Sequence, residues 1–251
     1  MKLGKPACLF LTAVLGCPLL PAGAAESGNA RPATPSVAAS NDPQFGTIQL
    51  FNGRNLDGLQ VFLEDSSADP SKTFKVEDGI LRVSGTPRGY ARTQLPYADY
   101  KLHVEWRFPN GKANSGVILH IVNRDEIWPK GYEAQLATDR AGDINIFWDA
   151  RSKEESLGRR PPAFSTGRLA RPAAESAEKP LGEWNAFDIV AAGDTLTLTV
   201  NGVQVNRMTG VLPSAGMIGL QSESGAVDFR NVTLAPLPPA KDLHAPMPPA
   251  K

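Results

Sequence analysis

Polar and apolar side chains alternate along much of the chain. Leu102, Val104, Trp106 and Phe108 interleave with Lys101, His103, Glu105 and Arg107. Leu196, Leu198 and Val200 interleave with Thr195, Thr197 and Thr199. A period of two sends successive side chains to opposite faces of a strand. Each run therefore predicts a strand with one face in a core and the other toward water. Val117 to Val122 is almost wholly apolar and predicts a core strand, yet it carries His120. Shorter strand-like runs follow at Tyr132 to Leu136 and at Asp143 to Trp148. Asp78-Gly79, Gly193-Asp194 and Asn201-Gly202 punctuate the strands as turns, and "TLTLTVNGVQV" predicts a hairpin closed by Asn-Gly. No stretch beyond about ten residues keeps a helical period, and no internal repeat or βαβ rhythm appears. The pattern predicts an all-β fold, a two-sheet antiparallel sandwich.

The ends of the chain break the alternation. Lys2 and Lys5 precede an apolar run from Ala7 to Leu20 that is too short to span a bilayer, and Ala22-Gly23-Ala24 offers a small-residue cleavage site. Residues 1–24 thus read as a leader for export to the periplasm or the outside. A second reading is a lipoprotein signal, since "VLGC" at 14–17 resembles a lipobox and would put a lipid anchor on Cys17. Both cysteines, Cys8 and Cys17, lie in this segment. The remainder has no disulfide, thiolate nucleophile or Cys-ligated zinc. Residues 25–44 have a linker's composition, rich in Ala, Pro, Ser and Asn, and 235–251 form a Pro-rich tail. The domain is therefore expected at 45–234. Within it, Asp149 to Pro180 is charged, Pro-containing and free of alternation. That stretch is either a lid or a solvated insertion.

Charge excludes two partner classes. Twenty-six basic residues balance 26 acidic ones, so there is no electrostatic footprint for nucleic acid or an anionic membrane.

The non-core positions of the strands between Lys101 and Trp148 carry the candidate chemistry. They are His103, Glu105 and Arg107, then Ile118, His120 and Val122, then Glu133 and Gln135, then Asn145 and Phe147. If these strands are neighbours, one partly dry face collects carboxylates, imidazoles, a guanidinium and amides. Such a face suits a polyhydroxylated ligand such as a sugar; a merely solvated outer face is the plainer alternative. Trp106 and Trp148 have core parity. Trp128 lies in a loop, either as a stacking platform or as a cap on the core.

Seven segments in series carry a family resemblance: "LFNGRNLDGL" at 50–59, "FKVEDGIL" at 74–81, "DYKLHVEWRF" at 99–108, "NSGVILH" at 114–120, "GYEAQL" at 131–136, "GEWNAFDIVAAGDTLTLTVNG" at 182–202 and "GMIGLQSESGAVDFRNV" at 216–232. They resemble the DUF1080 family, also called the 3-keto-disaccharide hydrolase domain. The resemblance implies a concanavalin-like jelly roll, exported by bacteria and acting on carbohydrate. It marks Glu105, Arg107, Asn114, Ser115, His120, Glu133 and Gln135 as pocket residues. Asn185, Asn201 and Gln221 also fall in its motifs, although turn chemistry explains Asn201 and Asn185 reads as structural.

The family name implies a particular chemistry. A ketone at C3 acidifies the C2 proton, so the glycosidic oxygen on C1 can be eliminated and water added afterwards. Glu133 and His120 are then the expected base and acid, with Arg107 or Gln135 at the enolate oxygen. A divalent metal ion on Glu105, His120 and Glu133 is an alternative electrophile, although no HExxH or DxDxDG spacing is present. Glu105 and Glu133 would serve as a retaining glycosidase pair only at a carboxyl separation of about 5 to 5.5 Å. A non-catalytic carbohydrate-binding module is the competing function.

Overall fold

A computed structural model describes residues 46–122, 125–148, 150, 165–170 and 176–239. The expected leader with Cys17, the linker, the tail beyond 239 and most of the 149–180 segment lie outside the described residues. The strands run in chain order as β1 (Ile48–Gln49), β2 (Leu59–Leu63), β3 (Phe74–Glu77), β4 (Ile80–Val83), β5 (Gly89–Thr93), β6 (Tyr100–Arg107), β7 (Gly116–Ile121) and β8 (Gly131–Gln135). They continue as β9 (Ile144–Phe147), β10 (Ser165–Leu169), β11 (Asn185–Ala192), β12 (Thr195–Val200), β13 (Val203–Met208), β14 (Met217–Ser222) and β15 (Val227–Pro236). One helical turn, α1 (Pro70–Thr73), is capped by Asp69, whose carboxylate accepts the Ser71 N–H. Among the described residues no helix is long and apolar enough to cross a membrane.

The strands form two antiparallel sheets. One has the order β13-β12-β11-β6-β15-β4-β3, with β1 also paired to β15; the other runs β10-β9-β8-β7-β14-β5-β2. They are called here the β6 sheet and the β7 sheet. Period two holds where it was expected: Leu102, Val104 and Trp106 are fully buried, while Lys101, His103 and Glu105 are not. Phe187, Ile189, Leu196 and Leu198 join them from β11 and β12, and Val117, Leu119, Tyr132 and Ala134 close the core from the β7 sheet. Each large aliphatic or aromatic side chain among them contributes about 1.5–3 kcal/mol by leaving water.

The hairpins follow turn chemistry. Val200 pairs with Val203 across Asn201 and Gly202, whose φ angles are 48° and 83°. Glu77 pairs with Ile80 across Asp78 and Gly79, at 52° and 77°. Two successive positive φ values are what a right-twisted two-residue hairpin requires.

The expectation that the strands from Lys101 onward are neighbours fails at its first step. β6 and β7 are consecutive in sequence but belong to different sheets. The chain crosses between layers after Phe108, turning at Gly111 with φ 108°. The polar positions of β6 therefore face away from those of β7 and β8, with the core between them.

A second departure lies inside β7. Gly219 of β14 pairs with Ile118, but Met217 pairs with Ile121, so β7 holds one extra residue. His120 takes it up with φ 55°. Such a bulge reverses the facing of the residues beyond it. Ile121 packs outward with Ile118 and Tyr90, and the exposed residue after it is Val122. The His120 ring lies edge-on to the core residues Tyr100 and Tyr132, at 5.9 and 6.1 Å. Gly216 abuts the bulged backbone so closely that a Cβ there would run into the His120 main chain.

Candidate functional site

The outer face of the β7 sheet holds an unusual carboxyl. Registers Ile118↔Glu133 and Glu133↔Asn145 set these three residues side by side on β7, β8 and β9. On the other side of β7, Ile118 pairs with Gly219, and Gln221 lies two residues along β14 on the same face. The face is closed: Glu133 and Gln221 are each 2% exposed, and Phe147 is buried beside them. Space for the Glu133 carboxyl comes from Gly116, where a Cβ would sit 2.5 Å from Oε1. The glycine of "NSGVILH" thus makes room for the glutamate of "GYEAQL".

Glu133 is poorly compensated. Asn145 Nδ2 donates to Oε2 at 2.6 Å, whereas Oε1 is buried without a partner. Gln221 lies near enough to favour the charged carboxylate, yet both its amide atoms also lack hydrogen-bond partners. Burial raises the Glu133 pKa to about 8, and the negative charge of Glu223 adds to the rise. Asn145, Gln221 and Arg140 oppose it. A carboxyl kept mostly protonated at neutral pH, with an orphaned oxygen, is equipped to move protons and is costly to keep for structure alone.

Aromatic and charged groups border this carboxyl. Trp128 is buried and packs on Phe147 at 5.6 Å, with the Arg88 guanidinium 6.0 Å from its ring. Trp148, expected in the core, turns outward at φ 54°; it is 43% exposed and donates its indole N–H to the Trp128 carbonyl. Arg92 pairs with Asp125 at 2.7 Å, and Asp125 also accepts the Tyr90 hydroxyl.

The remaining expected residues disperse. Glu105 lies on the outer face of the β6 sheet, bound by Arg230 at 2.6 Å and Asn231 at 2.8 Å. Arg107 is on that face too, paired with Asp228 at 2.8 Å and stacked on Trp184 at 4.7 Å. His120 points into the core, 3.0 Å from the Pro213 carbonyl, and burial lowers its pKa to about 4. It does not share a face with Glu133. Ser115 points inward and donates to the Gln221 carbonyl at 2.8 Å, tying β7 to β14. Gln135 faces outward, but its Oε1 accepts the Leu136 and Ala137 N–H groups, capping the end of β8. Asn114 stays near the site: its backbone bridges Ser224, and its side-chain oxygen is buried without a partner.

Glu105, His120 and Glu133 thus occupy three separate layers, so neither the expected metal trio nor the Glu105–Glu133 pair is assembled. Among the described residues no three His, Cys, Asp or Glu side chains are grouped to hold a metal ion. Sequence reasoning missed Glu223 and the environment of Gln221. The signal was present in "GLQSESG", where Gly219, Gln221 and Glu223 recur at period two.

A family model for the 3-keto-alpha-glucoside-1,2-lyase-like domain matches residues 46–235. The chain belongs to this family. Two solved structures from Parabacteroides distasonis ATCC 8503, both assigned by inference as glycosyl hydrolases, share the fold. One is 20% identical with a TM-score of 0.57, covering 77% of this chain and 94% of the other. The second is 22% identical with a TM-score of 0.56, covering 76% and 100%. A Bacillus licheniformis beta-glucanase superposes at a TM-score of 0.53 with 11% identity, over 78% of this chain and all of the other. At these identities the likeness establishes a jelly-roll sandwich. No curated protein sequence matches the chain.

Proposed function

We propose that this domain cleaves 3-keto-glycosides by elimination across C1 and C2, releasing the group on C1 and leaving an enone in the sugar. One observation carries the reading: Glu133, a buried carboxyl with an unpartnered oxygen, beside the unpartnered amide of Gln221 on the outer face of a jelly-roll sheet. The family description supports the same chemistry, since a 1,2-lyase on a 3-keto-glucoside breaks the C1–O bond by this route. The solved relatives with glycan-directed names share the fold on which the carboxyl is mounted. Export of the domain belongs to this reading and rests on the basic-then-apolar leader.

The reaction needs a base at C2–H, a donor at the ketone oxygen, and an acid at the leaving oxygen. With its pKa raised to about 8, Glu133 is mostly protonated at neutral pH, which suits it to the leaving oxygen. Gln221 offers the free N–H for the oxygen at C3. Hydration of the enone would complete a net hydrolysis.

The experiment is incubation with a 3-keto-glucoside and with its unoxidised parent, followed by enone absorbance and product chromatography. The ketone should be cleaved and the parent left intact, because only the ketone acidifies C2–H. Equal cleavage of both would remove the elimination route. Sugar binding without cleavage would make the domain a carbohydrate-binding module.

A further inference from the structure

Elimination needs a second proton-handling group, and His120 is in the wrong layer to supply it. Glu223 is the carboxyl whose charge bears on Glu133. It directly follows β14, two residues beyond Gln221 and with the same parity. Its backbone is held on both flanks. Ser222 donates its hydroxyl to the Pro87 carbonyl, and Ser224 exchanges two backbone hydrogen bonds with Asn114, at 2.7 and 3.1 Å. The side chain is half-buried, and its charge acts on Glu133. It makes no hydrogen bond or ion pair with any described residue. The nearby cations are engaged elsewhere: Arg88 with Glu64 at 2.7 Å, Arg140 with Asp143 at 3.1 Å. A half-buried carboxylate with no partner among the described residues, two residues beyond Gln221 and within electrostatic reach of Glu133, Arg88 and Arg140, is placed for a ligand.

We propose that Glu223 is the general base that removes the C2 proton, while Glu133 is the acid that protonates the leaving oxygen. This rests on the lyase reading above. Burial raises both pKa values, but Glu133 is the more deeply enclosed and carries Glu223's charge as well. Arg88 and Arg140 favour the ionised form of Glu223. Two like groups pushed apart in this way divide into an acid and a base. In the step itself, the C2–H bond breaks and its proton goes to Glu223. The electron pair forms the enolate of the C3 ketone, then the C1–C2 double bond as the C1–O bond breaks. The departing oxygen takes the Glu133 proton. No oxidant or reductant enters.

Leaving-group dependence tests the assignment with the full chain. The substrates are methyl and 4-nitrophenyl 3-keto-α-glucosides, and the proteins are wild type, Glu223→Gln and Glu133→Gln, with melting temperatures recorded for each. 4-Nitrophenolate departs without protonation. Glu133→Gln should therefore lose about 100-fold or more on the methyl glycoside and stay within about tenfold of wild type on the nitrophenyl one. Glu223→Gln should lose about 100-fold or more on both, and should stop exchange of C2–H with D₂O. A Glu223→Gln protein that keeps C2–H exchange, or that loses only the methyl glycoside, overturns the assignment while leaving the lyase reading intact. A wild type inert toward both ketones overturns that reading and the assignment with it.

Discussion

Glu133 shows what a buried carboxyl costs. Its pKa is about 4.5 when unfolded and about 8 when folded. Between these values the folded protein binds a proton that the unfolded chain has released, so stability falls as pH rises from about 4.5 to about 8. Below that window the carboxyl is neutral in both states and costs little. Above it the native state carries a buried charge with one hydrogen bond, a penalty of the order of several kcal/mol. Glu133→Gln removes the charge and keeps an oxygen for the Asn145 amide to donate to. The variant should match wild type in melting temperature near pH 4.5 and exceed it increasingly toward pH 8.5, while losing turnover of a 3-keto substrate with an unactivated leaving group. Calorimetry across that range, beside an activity assay, checks both. A variant less stable than wild type at pH 8.5 would make Glu133 a structural carboxylate.

β7 carries a bulge, and there the sequence misleads. Alternation correctly separated Leu102 from His103 and Leu198 from Thr199, because ordinary strands obey period two. It also placed Glu133, Asn145 and Phe147 outward. Trp148 and His120 depart from it, both at positive φ; at His120 one extra residue at φ 55° reverses parity, and no pattern of types announces it. The nearest sign is two glycines, Gly131 and Gly216, set against the bulged backbone. Burial keeps His120 neutral, with a folded pKa of about 4 against about 6.5 unfolded. A depressed histidine contributes stability that is present above the unfolded value and lost as pH falls toward the folded one. Roughly 3 kcal/mol should drain away between pH 6.5 and 4 from this residue. His120→Asn keeps a side chain that tolerates positive φ and removes the titration. Although less stable than wild type at pH 7.5 for want of packing, it should show a flatter loss of stability over that window. Denaturant melts at intervals between pH 4 and 7.5 supply the comparison. Parallel profiles for the two proteins would mean that His120 does not stay neutral in the fold.

Across the whole molecule, the two sheets present different outer faces, and that division was not legible in the sequence. Composition and alternation describe faces strand by strand. Which strands share a sheet depends on where the chain changes layer, and the crossing after Phe108 has no distinct signature. Hence Glu105 and Arg107 were grouped with Glu133, although the core lies between them. Their own face explains them better as a network of charges. Asp228 is 2% exposed and is held by Arg107 through two 2.8 Å contacts and by Arg82 at 3.6 Å. Arg107 also stacks on Trp184, whose ring lies 4.1 Å from Arg230, which in turn pairs with Glu105. Removing one partner of a buried carboxylate strands its charge, and the attraction lost in a dry site is large. Arg107→Gln should therefore cost about 3 kcal/mol of folding stability, reduced to the extent that Arg82 moves in. Since the proposed chemistry lies on the opposite sheet, turnover per folded molecule should stay within about twofold of wild type, well inside the tenfold that 1.4 kcal/mol of barrier represents. Urea titration and steady-state kinetics at a temperature where both proteins are folded separate the two quantities. If Arg107→Gln abolished turnover at unchanged stability, the β6 sheet would carry the active face, and Glu133 would lose its claim to the proton.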